Sequence, residues 1–230
     1  ITLLILSTEF SILGLGLVND MYLERYKKSI EYTLRLILKD KLGLAGLIIV
    51  LGFILLGIIG PMVVPYDVRG DPTKIYLPPS WEHPLGTDFQ GRDVFSQIVH
   101  GTPIVLKVAF LSGLFTVLIA LLVGSIAGFK GGLIDSIFMA IADVVLTLPI
   151  IPLFMVLSAL VKFRNIEVLS LLIASFSWPS LARAIRSQIL SMKEREFVEA
   201  ARALGFGTLD IIFYEIIPNI MPFIAVSFIF

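Results

Sequence analysis

Residues 42 to 66 read LGLAGLIIVLGFILLGIIGPMVVPY, 25 consecutive residues without a charge. As a helix rising ~1.5 Å per residue this stretch is about 37 Å long, and a bilayer's hydrocarbon core is ~30 Å thick. It is long enough to span. Further uncharged runs follow at Val108 to Phe129 and at Val144 to Val161, the latter extending back to Ser136 if Asp143 lies inside the protein. Val168 to Ala182 is shorter, and its length also suits a buried or re-entrant segment; it is read as a fourth span. Ile216 to Phe230 and Ile1 to Val18, the second broken only by Glu9, read as two more.

Composition agrees with this pattern. Of 230 residues 57% are hydrophobic and 16% charged, and 18 Lys and Arg balance 18 Asp and Glu. Soluble domains average ~25% charged residues and need polar helix faces. The expected class is an all-α polytopic membrane protein. A neutral chain lacks the basic excess of a nucleic-acid binder, so no nucleic-acid partner is expected. Without cysteine it has no disulfide framework, thiol nucleophile or Cys-ligated metal. His83 and His100, the only histidines, have no carboxylate at ligand spacing, and no metal site is expected.

Lys and Arg collect on the cytoplasmic side of membrane proteins. Residues 19 to 41, Lys130 and residues 183 to 215 hold twelve, whereas residues 65 to 107 and the hinge at Lys162 and Arg164 hold six. This bias puts 183 to 215 in the cytoplasm and the loop 67 to 103 outside. The outer loop is rich in turn formers, with Pro72, Pro78, Pro79, Pro84 and the string His83-Pro84-Leu85-Gly86-Thr87-Asp88-Phe89-Gln90-Gly91-Arg92-Asp93. A solvated linker is the plain alternative for it.

The inner loop has helical periodicity in two blocks. Phe197, Ala201 and Leu204 fall at i, i+4 and i+7, and Leu209, Ile212, Phe213 and Ile216 at i, i+3, i+4 and i+7. Gly205 and Gly207 between them can take positive φ and turn the chain. Two short amphipathic helices are expected, with Glu194, Arg195, Glu196, Glu199 and Arg202 toward solvent. Such a pair needs either a partner protein or a lipid surface to lie on.

These residues carry a resemblance. Glu199-Ala200-Ala201, then Gly205 and Pro218, looks like the EAA signature of permease subunits of prokaryotic binding-protein-dependent ABC transporters. The outer string with Gly86, Thr87, Asp88, Gly91, Arg92 and Asp93 resembles the loop of the dipeptide, oligopeptide and nickel branch, second-permease type. The chain departs from the pattern at Glu215, where this branch often has His, and at Ile217, where Leu is usual. The likeness covers about residues 39 to 222.

It implies a type I ABC importer transmembrane domain over 42 to 230, with cytoplasmic coupling helices in loop 183 to 215 and a cytoplasmic segment at 26 to 41. Glu199, Ala200, Ala201, Gly205, Phe197, Leu204 and Pro218 would couple it to the ATPase, with residues 197 to 204 as the ridge that enters the partner's groove. The implied partners are two cytoplasmic ATP-binding subunits, a second homologous permease, an extracytoplasmic substrate-binding protein and membrane lipid, in a prokaryotic inner membrane. ATP and Mg would sit on the partners, because the chain has no Gly-x-x-x-x-Gly-Lys-[Ser/Thr] loop and is expected to bind no cofactor. No catalytic residue is assigned. Peptides are the expected cargo, with nickel or another small solute as the alternative and a secondary transporter or channel as the rival class. Asp143, Pro149 and Pro179 are candidates for the substrate path; the alternatives are a structural role for Asp143, paired or snorkelling at the interface, and packing kinks at the prolines. Residues 1 to 25 read as an apolar span and cytoplasmic tail, either the end of a preceding fused permease or an extra N-terminal span.

Overall fold

The computed structural model describes residues 40–66, 69–160 and 165–229. The expected span at Ile1 to Val18, the tail to residue 25 and most of the segment 26 to 41 lie outside the described residues. The chain divides into two compact units, residues 1–99 and 100–230, and the boundary falls inside one helix.

In the first unit, α1 spans Lys41–Val63. Asp40 caps it by accepting hydrogen bonds from the amides of Leu42 (3.2 Å) and Gly43 (3.1 Å). Its surface is apolar all round, with Leu42, Ile48, Ile58 and Met62 exposed, as suits a helix surrounded by lipid or by other spans. A short 3₁₀ turn, Pro72–Lys74, follows. Next comes α2, Val94–Lys130. The outer loop therefore ends at Asp93 rather than at residue 103: ten residues read as loop are helical, and Pro103 lies within the helix.

The second unit is built on α2, α3 (Gly132–Thr147), α4 (Ile150–Leu160), α5 (Ile166–Met192) and α6 (Glu196–Ala203). Thr208–Asp210, the π-helical Ile211–Ile216 and Ile217–Ile229 then run on without a break and are treated as α7. Among the described residues, four helices are long and apolar enough to cross a membrane: α1, α2, α5 and α7. The third expected span is not straight. Helices α3 and α4 meet at 74° across Leu148 and Pro149. Proline drives the preceding residue out of the helical region, and Leu148 is extended (φ −70°, ψ 133°).

Small residues make the tightest seam. A Cβ on Gly124 would stand 2.6 Å from the Ala182 carbonyl oxygen, and one on Gly128 would stand 3.0 Å from that of Arg186. Two glycines four residues apart thus let the backbones of α2 and α5 approach. Around this seam Ala120, Val123, Ala142, Trp178, Ile185 and Ile189 form the core, joined by Ile216, Ile220 and Ile224 of α7. Two ion pairs tie α3 to α5, Asp135 with Arg186 and Asp143 with Arg183.

Candidate functional site

In the outer loop, the motif residues form one hydrogen-bonded knot. Thr87 is its hub: its hydroxyl donates to the Lys74 carbonyl and accepts from the Leu77 amide (2.8 Å), while its own amide donates to the Leu77 carbonyl (3.1 Å). Thr87 also pairs with Asp93 in a single antiparallel bridge. Between them Asp88 to Gly91 make a tight turn, closed by the Gly91 amide donating to the Asp88 carbonyl (3.0 Å). Gly86 and Gly91 have φ of 73° and 74°, and a Cβ on Gly91 would overlap the backbone carbonyl of Asp71. Both positions require glycine.

The Asp88 carboxylate accepts from the amides of Gln90 (2.8 Å) and Arg92 (2.9 Å), from Gln97 Nε2 (3.1 Å), and from Arg92 Nε (3.0 Å) and Nη2 (2.9 Å). Burial is the largest single influence and pushes the carboxyl up, but these donors together outweigh it and bring it down to about 2. Asp93 caps α2 by accepting from the Ser96 amide (2.9 Å), and the Ser96 hydroxyl donates to the Pro65 carbonyl (2.9 Å), tying both ends of the loop. His83 Nδ1 lies 3.6 Å from Asp93 Oδ1.

Asp88, Arg92 and Asp93 thus bond within the loop. What the loop shows to solvent is Tyr76, Trp81, Leu85 and Phe89. Because the folded carboxyl is depressed, Asp88 stabilises the loop fully above its ordinary value near ~4 and loses that contribution as pH falls toward about 2. Limited proteolysis of the loop should therefore show protection that is flat above pH ~4 and lost below it. In Asp88→Asn, cleavage should be faster at neutral pH and the acid transition should disappear.

In the second unit, α6 and the start of α7 form the loop whose periodicity stood out. Val198 and Ala201 are buried and belong to the unit's own core, and Arg202 lies over the Phe129 ring at 5.3 Å from its centroid. Burial of a valine side chain supplies ~1.5–3 kcal/mol, so α6 is held to the bundle by one residue per turn. Phe197, Glu199, Ala200, Leu204 and Pro218 face outward. The expected stripe of Phe197, Ala201 and Leu204 is therefore split: Ala201 points inward, Phe197 sits at the edge of the buried face, and Leu204 lies beyond the last helical residue.

Gly205 ends α6 in a Schellman motif. The Phe206 amide donates to the Ala201 carbonyl (3.1 Å), the Gly205 amide to that of Arg202 (3.0 Å), and φ of Gly205 is 86°. Gly207 does not share this conformation. It is extended at φ −69°, and its amide donates to Asp210 Oδ2 (3.2 Å). The second block is not a separate short helix either, because it is the first turns of α7. Ile211, Ile212 and Ile216 are buried while Leu209, Phe213 and Tyr214 are exposed. Pro218 has no amide to give the helix, and the local π geometry lets the Ile217 amide reach the Ile212 carbonyl. Asn219 Nδ2 donates to the Glu215 carbonyl (2.6 Å).

The path candidates come out differently from one another. Asp143 pairs with Arg183, Pro149 marks the α3–α4 bend, and Pro179 is fully buried inside α5. Two cavities formed by the described residues of this unit are lined by neither Asp143 nor Pro179. The Asp135–Arg186 pair was missed from sequence, because its partners are 51 residues apart on different helices and no local spacing links them.

A family model described as the binding-protein-dependent transport system inner membrane component matches residues 120–230, and one described as the N-terminal TM domain of oligopeptide transport permease C matches residues 31–79. The chain is 37% identical over 205 residues to the dipeptide transport system permease protein DppC of Bacillus subtilis, covering 87% of this chain and 64% of that protein. It is 34% identical over 189 residues to the oligopeptide transport system permease protein OppC of the same organism (82% and 62%). To the DppC of Haemophilus influenzae it is 32% identical over 184 residues (77% and 62%). The chain spans a little under two thirds of the length of these relatives. With the two models matching in this order over residues 31–79 and 120–230, the chain belongs to the inner membrane components of binding-protein-dependent transport systems.

Proposed function

We propose that this chain is one of two permease subunits of an ATP-driven importer of peptides, and that it has no catalytic activity of its own. The observation that carries this reading is the α6–Gly205–α7 element. It is anchored inward by Val198 and Ala201 and offers Phe197, Glu199, Leu204 and Leu209 outward, on the segment whose residues resemble the EAA signature. A surface held rigidly from behind is suited to transmitting displacement, because contact with an ATP-binding subunit that differs between two states shifts the permease between them. The outer loop, with its internally bonded knot, presents Tyr76, Trp81 and Phe89 to a substrate-binding protein or to the neighbouring permease. Relatives named as dipeptide and oligopeptide permeases support peptide cargo over nickel.

The test is reconstitution in proteoliposomes. The complete assembly, with ATP-binding subunits and binding protein, should accumulate a radiolabelled peptide only when ATP is supplied, and this chain alone should hydrolyse none. ATP turnover by the pure chain, or uptake by it without ATP, overturns the reading.

A further inference from the structure

Two cavities of about 510 and 590 Å³ lie in the second unit, a size usual for small-molecule sites. Both are lined by Thr116 of α2, Ser177 of α5 and Ser227 of α7, so these three hydroxyls form the wall the cavities share. The second cavity also reaches Leu146 and Ile150, one on each side of the α3–α4 bend. No lining residue of either cavity is charged.

The two serine protons are already used. Ser177 Oγ donates to the Ile173 carbonyl (2.9 Å) and Ser227 Oγ to that of Phe223 (2.9 Å), each one turn back along its own helix. A serine bonded in this way has spent its donor and keeps its acceptor lone pairs. The two serines thus offer acceptors, and the wall carries no charge. Lipid tails have no donor for it, and a helix packed there has its own amides committed to its ladder. A chain in extended form is different, because its main-chain N–H groups are free whatever its side chains are.

On the reading proposed above, we infer that Thr116, Ser177 and Ser227 are the peptide-facing wall of the substrate path and hold main-chain N–H groups of the passing peptide. Recognition of that kind is independent of sequence, and the uncharged lining leaves the charge of the peptide's side chains unselected.

The chain has no cysteine, so each single cysteine is the one thiol this sequence presents, and the unsubstituted assembly measures the background of its partners. In the assembled importer in proteoliposomes, Thr116→Cys, Ser177→Cys and Ser227→Cys should react with a water-soluble maleimide at least tenfold faster than Leu118→Cys, which is exposed on another face of α2. Modification should stop peptide uptake, and saturating peptide should slow the modification. Ser177→Ala combined with Ser227→Ala should slow uptake about fivefold, the size expected for roughly one net hydrogen bond, with subunit retention unchanged. If the three cysteines stay unmodified while uptake is normal, the wall is covered by another helix and the assignment is wrong. Cysteines that react, with uptake unchanged in the double alanine variant, overturn recognition by the hydroxyls. A wild-type assembly that takes up no peptide overturns the peptide reading itself and this inference with it.

Discussion

Gly205→Val should leave the chain in the membrane at its normal level while removing both the bound ATP-binding subunit and transport. The glycine stands at φ 86° with nothing within 4 Å of where a Cβ would be, so the substitution meets no steric wall. Its cost is conformational. A left-handed backbone costs an L-residue ~1–2 kcal/mol, and a β-branched residue lies at the upper end because its χ1 freedom is already restricted. The cheaper course is to leave that conformation, and leaving it breaks the two hydrogen bonds that Gly205 and Phe206 make to Arg202 and Ala201. The outward face from Phe197 to Leu209 then loses its shape, whereas Val198 and Ala201 still hold α6 to the core. A graded series follows: Asn is tolerated at this position in many helices, Ala is intermediate, and Val is worst. Co-purification of the ATP-binding subunit with each variant, beside uptake in the same membranes, measures the series. Full retention and full transport in Gly205→Val would make the element a lipid-facing helix instead of a coupling surface.

How far the sequence could be read depended on which force decided each feature. Spans α1, α2, α5 and α7 were legible because length and lack of charge alone determine membrane insertion, and Gly205 was legible because few other residues fill its role. Boundaries were harder. Residues 94 to 103 contain Gly101 and Pro103 and looked like loop, yet Asp93 caps a helix there and the missing Pro103 amide costs only one ladder bond. The uncharged run from Val144 to Val161 hid a 74° bend, since hydropathy carries no information on direction and only Pro149 hinted at it. Helical periodicity put Phe197, Ala201 and Leu204 on one stripe, but it could not show that α6 stops at Ala203 or that the bundle claims Val198 and Ala201. The outer knot lay beyond pattern reading altogether. Thr87 joins Lys74 and Leu77 through contacts more than nine residues apart, and no local rule reports them.

The α2–α5 seam gives the largest expected loss of the protein itself. Gly124→Val places a Cβ 2.6 Å from the Ala182 backbone oxygen and 3.0 Å from Ile185 Cβ, with two methyl carbons beyond it. Overpacking against flexible side chains costs ~1–3 kcal/mol, and here the first atom met is main chain, which no rotamer change can move. The helices must separate, and separation takes with it the core contacts of Ala120, Val123, Ala182 and Ile185. Gly46 and Gly52 in α1 supply the control, because no atom lies within 4 Å of a Cβ at either position. In a helix interior, replacing glycine at such open sites is neutral or slightly favourable. Membrane levels and thermal unfolding of the detergent-extracted protein should therefore fall sharply for Gly124→Val, fall less for Gly128→Ala, where the carbonyl stands 3.0 Å away, and stay at the wild-type value for Gly46→Val and Gly52→Val. Equal levels for all four would mean that α2 and α5 do not rely on backbone contact, and the Asp135–Arg186 and Asp143–Arg183 pairs would then have to hold α5 in place on their own. The Asp143–Arg183 pair is open to solvent, and such pairs contribute only ~0–1 kcal/mol. The glycine seam therefore acts beside the shared apolar core and the better-buried Asp135–Arg186 pair in setting the position of α5 and, through Met192 to Glu196, of the α6–Gly205–α7 element it leads into.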